Sequence, residues 1–200
     1  MSNADTPHMF SPYDWLDEAV IYNKRYEIIP SEWIRENTDV LVLLFSARGT
    51  DRNGIVEKFY EIYENVKFLN LPIEVIYVPL EETEEEMKQS FEKQANWFTL
   101  KPYDPLVLKL KYMYDITCIP HILVLKIDGT IISTHGMVDL EQYGKNAILT
   151  WLSTSASSKN HRKLSKDAAM YGDKWNYINA QSNTSKHDSY LRKFSIPETL

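Results

Sequence analysis

The segment "DVLVLLFSARGTDRNGIVEKF", residues 39–59, decides the fold. Val40 to Phe45 is continuously apolar and β-branched in part, the pattern of a strand covered on both faces. From Ile55 the apolar residues fall at 55, 56, 59, 60, 62, 63 and 66, the stripe of a helix ending near Asn70. A short polar junction, Ser46 to Gly54, joins the two. Strand, tight junction and helix in that order open a βα unit, so a parallel crossover follows.

Outward from that unit the chain continues in kind. "IEVIYVPL" (73–80) reads as a second buried strand, and "EETEEEMKQSFEKQANW" (81–97) as a helix with acidic residues early and lysines late. That order matches the helix dipole, and the glutamate run reads as a solvated face. "DPLVLKLKYMYDI" (104–116) predicts a helix with Asp104 as cap and Pro105 at its first position. "HILVLKIDGTIISTHG" (121–136) predicts two strands joined at Asp128-Gly129, and "MVDLEQYGKNAILTWL" (137–152) a single closing helix. Upstream, "AVIYNKRYEIIP" (19–30) predicts a hairpin around Asn23-Lys24, and "SEWIREN" (31–37) a short helix capped by Ser31. The sum is an α/β fold with a mixed central sheet and helices on both faces.

Composition sets the outer limits. A hydrophobic fraction of 44% suffices for a real core. The formal charge is −6, unevenly spread: from Ser153 onward eight Lys/Arg face four Asp/Glu, leaving 14 basic against 24 acidic residues before it. An acidic body argues against nucleic acid as partner, because phosphate binding needs clustered positive charge. No apolar run approaches the ~20 residues of a membrane span, and the first residues lack the basic and apolar regions of a signal peptide. The single cysteine, Cys118, excludes an intramolecular disulfide and fits a reducing compartment. The expectation is a cytoplasmic or nuclear protein without membrane insertion. Residues 1–18 read as a loose lead-in, 19–152 as the folded domain, and 153–200 as a polar, basic, disordered tail. Within that tail, "KWNYI" (174–178) and "YLRKF" (190–194) have the look of short docking motifs.

Several stretches carry a resemblance. "LFSARGT" (44–50), "EVIYVPLEETEEEMKQSF" (74–91), "NWFTLKPYDP" (96–105) and "YDITCIPHILVLKIDGTIISTHG" (114–136) together resemble the nucleoredoxin-like and tryparedoxin-like branch of the thioredoxin-like fold. The resemblance covers roughly residues 20 to 152, and within that branch the sequence looks most like the short nucleoredoxin-like proteins. The resemblance implies a sheet-edge groove beside a cis proline, here Pro120, with Thr117, Cys118 and Ile119 leading into it. It also implies a W-C-x-x-C motif at the strand-to-helix junction. Gly49 falls on its Trp, Thr50 on its first Cys and Asn53 on its second, with Asp51 and Arg52 between. A hydroxyl forms no disulfide and ionises far above a thiol, so dithiol–disulfide exchange at Thr50-Asp51-Arg52-Asn53 is chemically impossible.

Two functional expectations follow. The first is a redox-inactive module that binds a protein partner or an extended peptide at the cis-proline groove by strand addition. The second is a thiol-dependent oxidoreductase or a glutathione-linked enzyme, using Cys118 or a thiol bound at Thr50, where a helix beginning near Thr50 would offer its N–H groups. The plainer reading of the same residues makes Thr50 or Asp51 a helix N-cap worth about 1 kcal/mol. It leaves Arg52 solvated and Cys118 a small buried hydrophobe. His121 and His135 lack a second ligand at metal spacing, so neither metal nor cofactor is expected.

Overall fold

The computed structural model describes residues 14–156. The readings made for residues 1–13 and 157–200, including 174–178 and 190–194, lie outside the described residues. The elements run α1 (Asp14–Glu18), β1 (Ile21–Tyr22), β2 (Ile28–Ile29), α2 (Ser31–Asn37), β3 (Val40–Ser46), α3 (Ile55–Phe68) and β4 (Ile73–Pro79). They continue with α4 (Glu84–Glu92), β5 (Phe98–Thr99), α5 (Pro105–Met113), β6 (His121–Lys126), β7 (Ile131–Ser133), α6 (Gly136–Tyr143) and α7 (Lys145–Ala156).

All seven strands form one sheet in the order β2-β1-β5-β4-β3-β6-β7. β3 pairs parallel with β4, from Val40↔Ile73 to Ser46↔Pro79, and antiparallel with β6, from Val40↔Lys126 to Phe45↔His121. Alternation along β3 divides its side chains between two cores. Val40, Val42 and Leu44 join Phe59 and Val66 of α3, Phe91 of α4 and Ile148 and Leu152 of α7. Leu41, Leu43 and Phe45 face the other way, with Trp15 and Leu16 of α1, Ile34 of α2 and Leu110 of α5. Each such side chain, removed fully from water, contributes about 1.5–3 kcal/mol. β3 is therefore apolar throughout because neither face meets solvent. Among the described residues, no helix is long and apolar enough to cross a membrane.

Several sequence expectations need correction. Trp15 and Leu16 are 2% and 0% exposed, so the buried core reaches into the stretch read as a lead-in. Ser31 is the first residue of α2 rather than its cap; Pro30 holds the cap position and no side chain bonds there. The closing helix is two helices, broken at Gly144, whose φ is 53°. Strand β5, two residues long, was not anticipated. Asp104 does cap α5, accepting from Leu106 N at 2.9 Å, with Pro105 first in the helix. Thr83 caps α4 by accepting from Glu86 N at 3.2 Å.

Candidate functional site

At the C-terminal end of β3 the chain leaves the sheet through Ser46 and Ala47 and turns sharply at Gly49, whose φ is 76°. Glycine adopts that left-handed backbone without steric cost. Thr50 closes the turn: its N–H donates to Ala47 O at 3.2 Å, and its hydroxyl donates to the same oxygen at 2.7 Å. Thr50 Oγ1 also lies 3.0 Å from Ser46 Oγ. The hydroxyl is thus turned back toward the strand exit and engaged there.

Helix α3 begins at Ile55, where its apolar stripe begins, and not near Thr50 where the functional reading places its start. Residues 51–54 form a turn ending at Gly54, φ 66°. Asp51 reaches over that turn and accepts from Ile55 N at 3.0 Å and from Glu57 N at 3.1 Å. The free N–H groups and partial positive charge of a helix start are matched here by a carboxylate that belongs to the chain. Of the two residues proposed as cap, Asp51 is the one that bonds to the helix.

The second wall comes from across the sheet. The peptide between Ile119 and Pro120 is cis, directly before β6. A groove of about 550 Å³ lies between Gly49–Asn53 and Ile55 on one side and Ile119, Pro120, Met137, Val138 and Glu141 on the other. Thr50, Asp51, Arg52, Asn53, Ile119 and Pro120 therefore meet on one surface, although 65 residues of sequence lie between Asn53 and Ile119. Thr117 and Cys118 do not line it. Cys118 is exposed, which corrects its reading as a small buried hydrophobe.

Sequence reasoning missed the contribution of α6. Its first residue, Gly136, is buried against β6: a Cβ there would stand 2.3 Å from Ile122 Cγ2 and 2.8 Å from Ile122 O. Only a residue without a side chain lets α6 approach so closely, and that approach brings Met137 and Val138 to the groove. His121, next to Pro120, is partly buried, with its ring edge-on to Phe45 at 6.4 Å between centroids. Burial first, then the neighbouring His135, holds its pKa below the ordinary 6.5, against a backbone hydrogen bond at Thr134 that raises it. Among the described residues, no three His, Cys, Asp or Glu side chains are grouped so as to hold a metal ion.

The fold that carries this loop and the facing cis proline is shared with known proteins. A family model described as Thioredoxin-like matches residues 37–131. The fold is thioredoxin-like. Thioredoxin from Wuchereria bancrofti superposes with a TM-score of 0.59 at 22% identity, over 70% of this chain and 97% of that one. Tryparedoxin from Trypanosoma brucei gives 0.59 at 19% identity, over 70% and 97%. Native tryparedoxin I from Crithidia fasciculata gives 0.58 at 19%, over 68% and 94%. Identities this low speak for the thioredoxin-like fold alone.

Proposed function

We propose that this protein is a nucleoredoxin-like module without dithiol chemistry, which works by binding an extended peptide or a protein segment in the groove between Thr50–Asn53 and Ile119–Pro120. The observation that carries the reading is the cysteine inventory: the one cysteine, Cys118, lies outside the groove, and Thr50 and Asn53 occupy the positions that the resemblance assigns to the two thiols. The local geometry supports it. Thr50's hydroxyl is committed to Ala47 O, and Asp51 already places a carboxylate on the first N–H groups of α3. A bound thiolate would meet that negative charge at short range. The groove's wall offers apolar contact through Ile119, Pro120, Met137 and Val138, as an extended guest requires.

The test is a randomised nonapeptide library displayed against the full chain and against Val138→Asp. Val138 is 45% exposed on the groove wall, so the change adds charge there without disturbing the core. Peptides retained by the native chain and released by the variant support the groove; equal retention by both would place binding elsewhere.

A second reading is favoured by one observation. Cys118 is exposed beside the groove. In that reading a single thiol supports a glutathione-linked exchange. Insulin-disulfide reduction separates the two: the binding reading expects only the uncatalysed rate with dithiothreitol or with glutathione. Turnover above that background, lost in Cys118→Ser, would establish the thiol enzyme instead.

A further inference from the structure

Away from the groove, the sheet leaves an interval unfilled. Strand β5 pairs with β4 only at Ile76 and Tyr77, and with β1 only at Thr99. Before Phe98, therefore, no strand stands between β4 and the β1–β2 hairpin. A pocket of about 540 Å³ lies there, bordered by Glu74 and Phe98 on one side and by Asn23 and Ile29 on the other. It shares no residue with the groove: Glu74 is near the start of β4, whereas the groove lies beyond the end of β3, its parallel partner. The volume falls in the range of small-molecule sites, about 300–1,000 Å³.

One wall is aromatic. Trp33 of α2 is 42% exposed, with Phe98 edge-on to it at 5.8 Å between centroids and Ile29 and Pro30 beside it on the pocket. An indole left open among such side chains offers a flat ring a large contact surface. The floor is internally neutralised: Glu74 accepts from Lys67 Nζ and, at 2.8 Å, from the Tyr63 hydroxyl, so both its oxygens are engaged. The rim is basic. Asn23 stitches the hairpin turn, its Oδ1 accepting from Arg25 N at 2.9 Å and Glu27 N at 3.0 Å, its Nδ2 donating to Glu27 at 2.7 Å. The backbone of Arg25 is thus fixed at the rim, while its guanidinium has no hydrogen bond or ion pair among the described residues. Lys24 turns inward, its ammonium donating to Phe91 O and, at 2.8 Å, to Gln94 O. Burial lowers its pKa to about 8, against Glu64 and Glu92, so it keeps its charge at neutral pH. Arg25, Lys24 and Lys67 together face two carboxylates, Glu27 and Glu74, which leaves one positive charge in excess.

We propose that this pocket binds a small aromatic carboxylate, its ring against Trp33 and Phe98 and its charge on Arg25. Of the three cations, Arg25 is the one whose donors are unengaged, and a planar guanidinium meets a carboxylate with two parallel N–H groups. One charge in excess suits a monoanion rather than a phosphate dianion. A neutral ring gains the aromatic contact alone, and a cationic one meets Arg25 repulsively. The inference is independent of the groove and of what the groove binds.

The probes are 2-naphthoate and its uncharged analogue 2-naphthamide, titrated into the full chain and followed by NMR shifts of amides and tryptophan indoles. The expected result is shifts at Asn23, Arg25, Asn96 and the Trp33 indole, with naphthoate binding about tenfold more tightly, the scale of one charge-assisted hydrogen bond. Arg25→Gln, a change at an exposed side chain, should bring the two compounds to parity. Trp33→Leu should weaken both alike. Equal affinity for the two compounds in the native chain overturns the proposal, as does an absence of shifts at these positions or their confinement to Met137 and Val138 of the groove. A preference for naphthoate that survives Arg25→Gln overturns it as well, and so does an affinity that Trp33→Leu leaves unaltered.

Discussion

Asp51 shows how one side chain can alter the chemistry of a familiar junction. By accepting from Ile55 N and Glu57 N it satisfies two of the donors that a helix start leaves open. Asp51→Ala should therefore lower stability by about 1–2 kcal/mol, the range for losing a good cap, read as a fall in the urea midpoint with unchanged slope. His121 carries a pH dependence whose sign follows from its surroundings. Its folded pKa lies below 6.5, so the unfolded chain binds the proton more readily. Its contribution is intact above the unfolded value of about 6.5 and is lost as pH falls through the lower folded one. Denaturation at pH 7.5 and at pH 5 should show a smaller loss in His121→Gln than in the native chain; an identical loss would place the acid sensitivity in other groups.

Among the elements, α6 has the greatest leverage on the groove. Gly136→Ala puts a methyl group into Ile122, and since the obstacle includes backbone, α6 must move. Overpacking of this kind costs about 1–3 kcal/mol. Peptide capture should fall along with stability, because Met137 and Val138 travel with the helix. Capture at native strength in a destabilised Gly136→Ala would show that the α6 wall is dispensable. The elements differ in how far sequence revealed them, for physical reasons. β3, β4 and β6 were legible because burial on both faces leaves long apolar runs, and α5 because Asp104-Pro105 marks its start chemically. β5 was not, since two residues carry no period; it exists because Tyr77 and Tyr22 on neighbouring strands pair with Thr99. The start of α3 at Ile55 was legible from its apolar stripe, whereas its placement near Thr50 fell a turn too early, because Asp51 caps from outside the helix across residues 52–54. On the groove, Thr50–Asn53 and Pro120 were legible through the resemblance. Met137, Val138 and Glu141 were not, because only the packing of α6 on β6 brings them there.

At the scale of the molecule, the sheet is built from unequal strands. β3 spans seven residues, each buried, and is bonded along nearly its whole length to β4 on one side and β6 on the other. At the margins, β1, β2 and β5 are two residues each and β7 three. Freeing a central amide requires dismantling both cores at once, whereas freeing a marginal one requires breaking a bond or two near solvent. In deuterated buffer, protons on the Val42, Leu43 and Leu44 amides should be retained longest, exchanging only through global unfolding. Those of β1, β2 and β7 should be lost first through local opening. The loop bearing Thr50 and Asp51 hangs from the end of the slowest-exchanging strand. Guest binding there should slow exchange in the loop while leaving β3 almost untouched, so deuterium uptake would locate the occupied surface without any substitution.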